Sequence, residues 1–318
     1  MARTSSEPGE VEALKAAAAA LRSGALVGMP TETVYGLAGD AGNPDAVARI
    51  FAAKGRPSFN PLISHVASLE LAIREGQLDR RAIALAERFW PGPITLVVPV
   101  ADSGRTSELA RAGLRSIGLR VPGHRLARAL LEEFGGPVSA PSANLSGKLS
   151  PTRAEDVERD LGGQVELVLD GGECEKGIES SIVAVMPDEP PRLLRPGAVS
   201  RTQLEEVVGE LAAAAVGKIT APGQLLSHYA PRAAVRLNAR SVGDDEVLLG
   251  FGATAAGAAL NLSLSGDTVE AAANLYRMLR ELDAFGAGTI AVSPIPETGL
   301  GEAINDRLRR AAAPRSTD

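Results

Sequence analysis

Four cationic side chains stand where predicted strands or helices end. Lys54 and Arg56 follow the exit of a helix with one residue between them, and Arg120 and Arg195 close two apolar strands. In an extended segment, side chains two positions apart share a face, so Lys54 and Arg56 can point at one anion. An arginine cannot lose its charge, so an arginine in a cleft needs an anionic partner. These positions favour phosphate or carboxylate as the ligand class.

Each polar signal is ambiguous by itself. An isolated Lys54-Gly55-Arg56 run can be a solvated helix C-terminus, where cations offset the helix dipole. Ser142 and Asn144 repeat the two-residue spacing in a loop of small and hydroxyl residues, which is also an ordinary turn composition. His65 lies on an apolar strand, where a histidine is more often part of the core than catalytic. The chemistry therefore has to be argued from these residues as a group.

Common nucleotide and metal motifs are absent from the sequence. Gly147-Lys148-Leu149-Ser150 has the wrong spacing for a phosphate-binding P-loop. Gly250-Phe251-Gly252-Ala253 follows a predicted strand but lacks the third glycine of a dinucleotide site. HExxH, CxxC and GxSxG do not occur, and the single Cys174 excludes a Cys-only metal site. We therefore predict a phosphate site made of side-chain cations and loop donors, with no metal held by the protein.

Composition narrows the function classes. The chain has 318 residues and a net charge of −6, whereas proteins that grip duplex nucleic acid usually carry the opposite sign. An aromatic share of 3% also argues against base stacking as the main binding mode. Residues 1–10 lack the apolar core of a signal peptide, and no apolar run approaches the roughly 20 residues of a membrane span. One cysteine suits a reducing compartment, so we predict a cytoplasmic protein that does not contact membranes.

The polar residues need a scaffold that brings strand ends together. An apolar strand at 25–29 leads into a hydroxyl-rich turn at 30–36, and a helix at 43–53 precedes an apolar strand at 61–66. Further strands are predicted at 94–98, 116–121, 166–170, 181–185 and 192–195, and further helices at 11–22, 68–75, 79–89, 125–134, 153–161 and 201–216. Strands and helices do not alternate strictly, so we predict a twisted mixed sheet with flanking helices. Such α/β sheets usually bind ligands at the carboxyl ends of their strands.

The chain is predicted to form two domains joined by a linker. Residues 1–216 make the larger domain, residues 217–232 lack periodicity and form the linker, and residues 233–318 make a smaller α/β domain. The smaller domain is predicted to contain strands at 234–238, 246–251 and 289–293 and helices at 268–285 and 301–313.

A series of short motifs runs through the chain in order. The motifs of the larger domain are Pro30-Thr31-Glu32-Thr33-Val34-Tyr35-Gly36-Leu37, Lys54-Gly55-Arg56-Pro57, Asn60-Pro61-Leu62-Ile63, Trp90-Pro91-Gly92-Pro93 and Ser139-Ala140-Pro141-Ser142-Ala143-Asn144-Leu145-Ser146-Gly147. Together with Ala221-Pro222-Gly223 and His228-Tyr229-Ala230-Pro231, the series resembles the YrdC/Sua5 family in its long, Sua5-type form. The resemblance covers nearly the whole chain. It implies a YrdC-like twisted open mixed sheet with flanking helices, followed by a smaller C-terminal Rossmann-like α/β domain.

Members of this family are L-threonylcarbamoyladenylate synthases, which are nucleotidyltransferases. The resemblance implies that L-threonine, bicarbonate and ATP condense to threonylcarbamoyl-AMP and pyrophosphate. Mg²⁺ would arrive with the ATP, held largely by phosphate oxygens and water. The product would then pass to a downstream threonylcarbamoyl-transferase complex that makes the t6A modification at position 37 of tRNA.

Matching motif positions assigns the site residues. The expected contacts of L-threonine are Thr33, His65, Arg120, Ala140 through its backbone, and Ser180. The expected contacts of ATP are Lys54, Arg56, Asn60, Ser116, Ser142, Asn144, Ser150, Arg195 and Tyr229. The KxR and SxN patterns of the family make Lys54, Arg56, Ser142 and Asn144 the expected catalytic group. The linker would fold His228 and Tyr229 over the adenylate and shield it from water.

Three positions depart from the family pattern. Leu37-Ala38-Gly39-Asp40 replaces an LGANA-like run, Gln224 stands where methionine is usual, and Ser227 replaces the usual cation before the His-Tyr-Ala-Pro motif. The loss of that cation leaves the linker's grip on phosphate in question.

Two other functions remain open from the sequence. One is an RNA-binding module, since YrdC-like domains have a concave basic surface, and we retain weak RNA binding as a secondary expectation. The other is a carbamoyl-transfer enzyme of the same fold, as in hydrogenase maturation. Those chains carry zinc-finger regions, with which a single cysteine is incompatible.

Overall fold

The computed structural model describes residues 3–4, 9–213, 228–255 and 257–314. In these ranges the first part of the chain forms one large sheet with helices around it. Its strands are β1 (Arg3–Thr4), β2 (Val27–Met29), β3 (Gly36–Asp40), β4 (Ile63–His65), β5 (Ile94–Pro99), β6 (Ser116–Arg120), β7 (Val138–Ser139), β8 (Leu167–Leu169), β9 (Ser181–Ala184), β10 (Arg192–Arg195) and β11 (Ala212–Ala213). Its helices are α1 (Glu10–Arg22), α2 (Pro44–Lys54), α3 (Leu69–Glu75), α4 (Arg80–Phe89), α5 (Arg125–Phe134), α6 (Ala154–Leu161) and α7 (Arg201–Val208).

The large sheet is mixed, as predicted. Its strand order is β1-β8-β2-β3-β7-β4-β6-β5-β9-β10-β11. Strands β4 and β6 run parallel, while β5 pairs antiparallel with β6 and β7 pairs antiparallel with β4. The parallel register places His65 beside Arg120 at the carboxyl ends of β4 and β6. Two residues predicted to bind one ligand are therefore neighbours on the sheet.

The second part of the chain forms a smaller parallel sheet. Strands β12 (Ala234–Arg236), β13 (Glu246–Gly250), β14 (Leu260–Asn261) and β15 (Thr289–Val292) pair in the order β12-β15-β13-β14. Every pairing in it is parallel, which agrees with the Rossmann-like prediction. The helices of this unit are α8 (Thr268–Ala284) and α9 (Gly301–Ala312). None of the helices in the described ranges is both long enough and apolar enough to cross a membrane.

Helix α2 shows how local sequence sets the position of a cation. Asn43 caps it by accepting hydrogen bonds from the N–H groups of Asp45 and Ala46, and Pro44 suits the first turn. The helix ends at Gly55, whose left-handed conformation (φ 59°) favours glycine. Lys54 is thus the last helical residue, and Arg56 begins the following loop.

The two units share one apolar core. Val34, Leu149 and Ile178 come from loops of the large sheet, yet they pack in the same buried cluster as the apolar faces of α8 and α9. Tyr229 belongs to that cluster as well. The predicted domain boundaries at 216 and 233 stay predictions, and most of the predicted linker, residues 217–227, lies outside the described residues together with Gln224 and Ser227.

Several element predictions were incomplete. The predicted helix at 201–216 is too long, since α7 ends at Val208, Gly209 has a positive φ of 77°, and β11 follows. Strands β1, β3, β7, β11 and β14 were missed. Strand β3 has the sequence Gly-Leu-Ala-Gly-Asp, which lacks β-branched residues, and it is held by its pairing with β2 and β7.

Candidate active site

A small cavity lies over the face shared by Ile63 and His65, beside the end of β6. It encloses about 50 Å³. Nine of the predicted site residues line it, namely Thr33, Arg56, His65, Arg120, Ala140, Ser142, Ser180, Arg195 and Tyr229. Two further lining residues, Glu179 and His228, bear on the argument below. The structure therefore brings residues from four of the quoted motifs together with His65, Arg120, Ser180 and Arg195.

Arg56 and Arg195 are buried but are held by main-chain oxygens. Arg56 donates from Nε to the carbonyl of Asn60 (3.2 Å) and from Nη2 to that of Pro61 (3.0 Å). Arg195 donates from Nη2 to the carbonyl (2.8 Å) and hydroxyl (3.2 Å) of Ser180. Burial lowers the pKa of Arg56 to about 10, which still leaves it charged at neutral pH. Two fixed positive charges thus line the cavity, and neither is directly bonded to a carboxylate of the described residues.

Arg120 differs, because it forms a buried ion pair with Glu32. Its Nη2 lies 2.7 Å from Glu32 Oε1, and both side chains are at least nine-tenths buried. Burial alone would raise the pKa of Glu32, but Arg120 outweighs it and keeps the carboxylate ionised. The second carboxylate oxygen of Glu32 has no hydrogen-bond partner among the described residues. The sequence assigned no role to Glu32, although it lies within one of the quoted motifs.

His65 is a neutral, buried imidazole beside Arg120. Burial, followed by repulsion from Arg120, lowers its pKa to about 3. Its Nδ1 atom has no partner within the described part of the chain. Thr33 and Ser180 also line the cavity, and their hydroxyls bond to those of Thr31 and Thr95 at 2.8 Å. Such a set can bind a small polar group that carries its own hydroxyl.

Lys54 does not share a face with Arg56, because the segment is not extended at Gly55. The extended geometry on which the shared-anion prediction rests is therefore not found at Gly55, and the ATP-binding and catalytic roles of Lys54 stay predictions. Lys54 is 2% exposed, and its ammonium group donates to the carbonyls of Ser142 and Asn144. Burial, with repulsion from Arg56, lowers its pKa well below the usual value. Lys54 thus fixes the loop that carries Ser142, while Arg56 lines the cavity.

Four more predicted contacts lie outside the cavity lining. The Asn144 amide donates to the carbonyls of Leu145 and Lys148, and the Ser150 hydroxyl donates to Glu179 at 2.6 Å. Asn60 is fully buried, and neither its side-chain oxygen nor its nitrogen has a partner in the described ranges. Ser116 begins β6, at the opposite end from Arg120, and lines a separate small cavity. The nucleotide-binding roles of Asn60, Ser116, Asn144 and Ser150 stay predictions.

Glu179 is a cavity residue that the sequence did not identify. Its carboxylate accepts hydrogen bonds from Ser150 Oγ, from the Tyr276 hydroxyl (2.8 and 3.0 Å) and from Arg307 Nε (2.8 Å). We call these four residues the Glu179 cluster. Burial would raise the pKa of Glu179, but Arg307 and then Arg195 hold it at about 2. Tyr276 and Arg307 lie on α8 and α9, so the second unit reaches the cavity wall.

Tyr229 and His228 close the cavity from the end of the predicted linker. The Tyr229 ring lies 5.7 Å from that of Tyr276, and the Arg307 guanidinium lies over it at 5.1 Å. Burial lowers the pKa of His228 to about 3, so its imidazole is neutral. Sites for drug-sized ligands usually enclose about 300–1,000 Å³, so a cavity of about 50 Å³ is too small for a nucleotide.

The donor set offers no ready place for a protein-held metal ion. Among the described residues, no group of three or more His, Cys, Asp or Glu side chains could hold one. Among the described residues that line the cavity, Glu179 is the one carboxylate, and the other members of its cluster donate hydrogen bonds to its oxygens.

Family models match both parts of the chain. A family model named for Sua5, YciO and YrdC and described as "Telomere recombination" matches residues 19–197, and a model described as "Threonylcarbamoyl-AMP synthase, C-terminal domain" matches residues 199–313. The threonylcarbamoyl-AMP synthase of Pyrococcus abyssi is 40% identical, over 95% of this chain and 94% of that protein. That of Bacillus subtilis is 38% identical, over 94% of this chain and 92% of the relative.

A solved structure extends the likeness to both units. The crystal structure of P. abyssi Sua5 complexed with L-threonine matches with a TM-score of 0.87 and 37% identity, covering 98% of this chain and 96% of the other. Both family models and both sheets are thus accounted for by one known architecture. This chain belongs to the Sua5–YciO–YrdC family and has the long, Sua5-type form.

Proposed function

We propose that this protein is a threonylcarbamoyl-AMP synthase, which joins L-threonine, bicarbonate and ATP into threonylcarbamoyl-AMP and pyrophosphate. The observation that carries the proposal is that one cavity unites two predicted sets of contacts. Arg120, His65 and Ser180 belong to the threonine set, whereas Arg56 and Arg195 belong to the ATP set. The family match and the names of the relatives support the same activity.

The reaction requires alignment and charge neutralisation from the protein. The threonine amine attacks bicarbonate, and loss of water leaves a carbamate. A carbamate oxygen then attacks the α-phosphorus of ATP, and the bond to the β-phosphate breaks to release pyrophosphate, which makes the step a nucleotidyl transfer. Such phosphoryl chemistry is accelerated mainly by positioning and electrostatics. Arg56 and Arg195 can stabilise the negative charge that grows on the phosphate, because no carboxylate in the described ranges is directly bonded to either of them.

Threonine is proposed to bind at the Arg120 end of the cavity. Its carboxylate would pair with Arg120 in a charge-assisted hydrogen bond and would compete there with Glu32. Neutral His65 and the hydroxyls of Thr33 and Ser180 would bind the substrate hydroxyl. A site built to bond a hydroxyl can reject an analogue without one by roughly 10⁴-fold. We therefore propose that this end of the cavity selects threonine.

Mg²⁺ is proposed to enter with ATP. The ion prefers octahedral oxygen coordination and keeps several waters, so phosphate oxygens can supply most of its ligands. Glu179 is already occupied by hydrogen-bond donors, and the part of the chain that the structure describes has no other cavity carboxylate.

The product is proposed to pass to the proteins that complete t6A in tRNA.

The small size of the cavity also bears on the role of His228 and Tyr229, at the end of the predicted linker. ATP needs more room than about 50 Å³, so His228 and Tyr229 must withdraw to admit it. Their return over the adenylate would exclude water from the labile product. A chain lacking residues 221–318 that retains its adenylate as well as the full chain would contradict this role.

Pyrophosphate release tests the proposal. We expect wild-type protein to release pyrophosphate from ATP only when threonine and bicarbonate are both present. Arg56→Ala and Arg120→Ala should each lower the rate by at least roughly 100-fold, since the first removes a charge that stabilises the reacting phosphate and the second removes the partner that positions the threonine carboxylate. Arg309→Ala is the control, because Arg309 lies in an exposed ion pair with Glu297. Near-normal rates in both cavity variants would mean that the site is assigned wrongly.

A further inference from the structure

Two side chains of the second unit are buried at the cavity wall, although neither lines the cavity itself. Tyr276 of α8 is fully buried and Arg307 of α9 is 1% exposed. Both reach across to Glu179, which precedes β9 of the large sheet. An arginine is seldom buried so completely unless a specific partner compensates its charge. These two residues therefore have a specific task at this boundary.

The first part of that task concerns charge. Glu179 lines a cavity that also contains Arg56 and Arg195, and which is proposed to hold the phosphates of ATP. An uncompensated carboxylate there would repel phosphate. Arg307 neutralises it through a 2.8 Å contact, and the Tyr276 hydroxyl bonds both carboxylate oxygens. The cationic character of the phosphate site therefore depends on a residue of the second unit.

The second part concerns the aromatic closure. Tyr229 stacks on Tyr276 with an interplanar angle of 30°, and the Arg307 guanidinium covers its ring at 5.1 Å. Arg307 is itself fixed by Asp306, 2.7 Å from its Nη1 atom. Tyr276 and Arg307 thus each contact both Glu179 and Tyr229, and these two contacted residues line the cavity.

The backbone supports this arrangement. Gly177 has a φ of +60°, and a Cβ added there would overlap the carbonyl oxygen of Ala273 on α8. The loop that carries Glu179 therefore lies directly against the helix that carries Tyr276. The two units are also joined by two ion pairs, Arg280 with Asp160 at 2.6 Å and Arg201 with Glu302 at 2.7 Å.

We infer that Tyr276 and Arg307 are positioning residues for the ATP half of the site: they neutralise and orient Glu179 and hold Tyr229 over the cavity. The inference rests on the proposed function. It gives the second unit a defined part in ATP binding and leaves threonine binding to the large sheet. Within the described ranges, Arg120, His65 and Thr33 form no hydrogen bond with Tyr276 or Arg307.

Steady-state kinetics and threonine binding together test this inference. Arg307→Met and Tyr276→Phe should each raise the KM for ATP, by about tenfold or more for Arg307→Met, because removal of one partner strands a buried charge. The dissociation constant of L-threonine, measured by calorimetry without ATP, should stay within about twofold. Arg309→Met is the matched control, as it removes the same charge from an exposed position on the same helix. It should leave both quantities unchanged.

A double substitution that removes both members of the buried ion pair distinguishes a loss of positioning from a general loss of structure. Glu179→Gln combined with Arg307→Met removes both members of the buried pair, so the KM for ATP should fall back towards that of Glu179→Gln alone. Tyr276→Phe keeps the ring that stacks on Tyr229, and Arg307→Lys keeps the charge. These two milder variants decide the question if Arg307→Met does not fold.

The outcomes separate cleanly. Selective weakening of ATP use, restored in the double variant, supports the inference. An unchanged KM for ATP in Tyr276→Phe and Arg307→Met overturns it, and so does an equal loss of threonine and ATP binding accompanied by a lower melting temperature. If the wild-type protein neither binds threonine nor consumes ATP, the proposed function itself fails.

Discussion

At the residue scale, the two arginines assigned to ATP are held by main-chain oxygens. Carbonyls of Asn60 and Pro61 orient Arg56, and that of Ser180 orients Arg195. A carbonyl fixes the direction of a guanidinium without cancelling its charge, so the charge remains for a ligand. This is the preorganised electrostatic arrangement that stabilises a transition state without reorganisation.

The neutral state of His65 predicts a pH dependence of stability. Its pKa is about 3 in the folded protein, against about 6.5 in an unfolded chain. The unfolded chain therefore binds the proton first, so the free energy of unfolding should fall as the pH drops from about 6.5 towards 3. We expect His65 to contribute a slope of up to about 1.4 kcal/mol per pH unit.

Urea unfolding between about pH 5 and pH 6.5 measures this slope, since carboxylates with ordinary pKa values contribute little there. His65→Gln should give a shallower dependence than wild type by the His65 contribution. His228 is buried and neutral in both proteins, so its similar contribution cancels in the comparison. Parallel curves for the two proteins would show that His65 is not held neutral.

Sequence motifs identified the cavity residues but not all of their partners. Thr33, His65 and Ser180 were placed by resemblance, and the cavity contains all three. Tyr276 and Arg307 were missed, because a tyrosine and an arginine on amphipathic helices look like ordinary core and surface residues. Only the tertiary contact with Glu179 gives them a role, and no local pattern reports a contact about 100 residues away in sequence.

At the scale of elements, the loop at 177–180 is where the large sheet packs closely against helix α8. Gly177 allows the close approach in two ways: its φ of +60° is in the left-handed region, and it has no side chain to strike Ala273. The loop then presents Glu179 to the second unit and Ser180 to the cavity.

A pair of glycine substitutions should separate these two effects. Gly135 ends α5 with a φ of +74° and has open space where a Cβ would lie, so Gly135→Ala costs only backbone strain. Gly177→Ala adds overlap with α8 and should lower the free energy of unfolding by about 1–3 kcal/mol more. It should also raise the KM for ATP. Equal losses of stability, measured by urea unfolding, would mean that the loop and helix separate without cost.

The type of an element could be predicted where its apolar pattern is long. It was harder to predict where pairing with neighbouring strands decides whether a segment is a strand. Helix α5 was predicted at its observed bounds, because its apolar residues recur with helical spacing. Strand β7 has two residues and β3 contains two glycines, so neither has a pattern of its own. Both are strands because they pair with each other and with β2 and β4.

At the scale of the whole molecule, positive charge is concentrated inside an acidic protein. The net charge is −6, yet Arg56, Arg120 and Arg195 line one cavity. Walls of low dielectric focus such a local field on an anion even when the total charge is negative. Tyr276 and Arg307 of the second unit contact Glu179 and Tyr229, which line the cavity, so both units contribute to the site.

Product analysis with ¹³C-labelled bicarbonate tests the central claim most directly. Wild-type protein incubated with ATP, L-threonine and labelled bicarbonate should form an adenylate that contains threonine and one labelled carbon, detected by mass spectrometry. Omission of threonine, or the Arg120→Ala substitution, should abolish that species. Pyrophosphate release that needs no threonine, or an adenylate that carries no label, would contradict the claim that this cavity joins a threonine carbamate to a nucleotide.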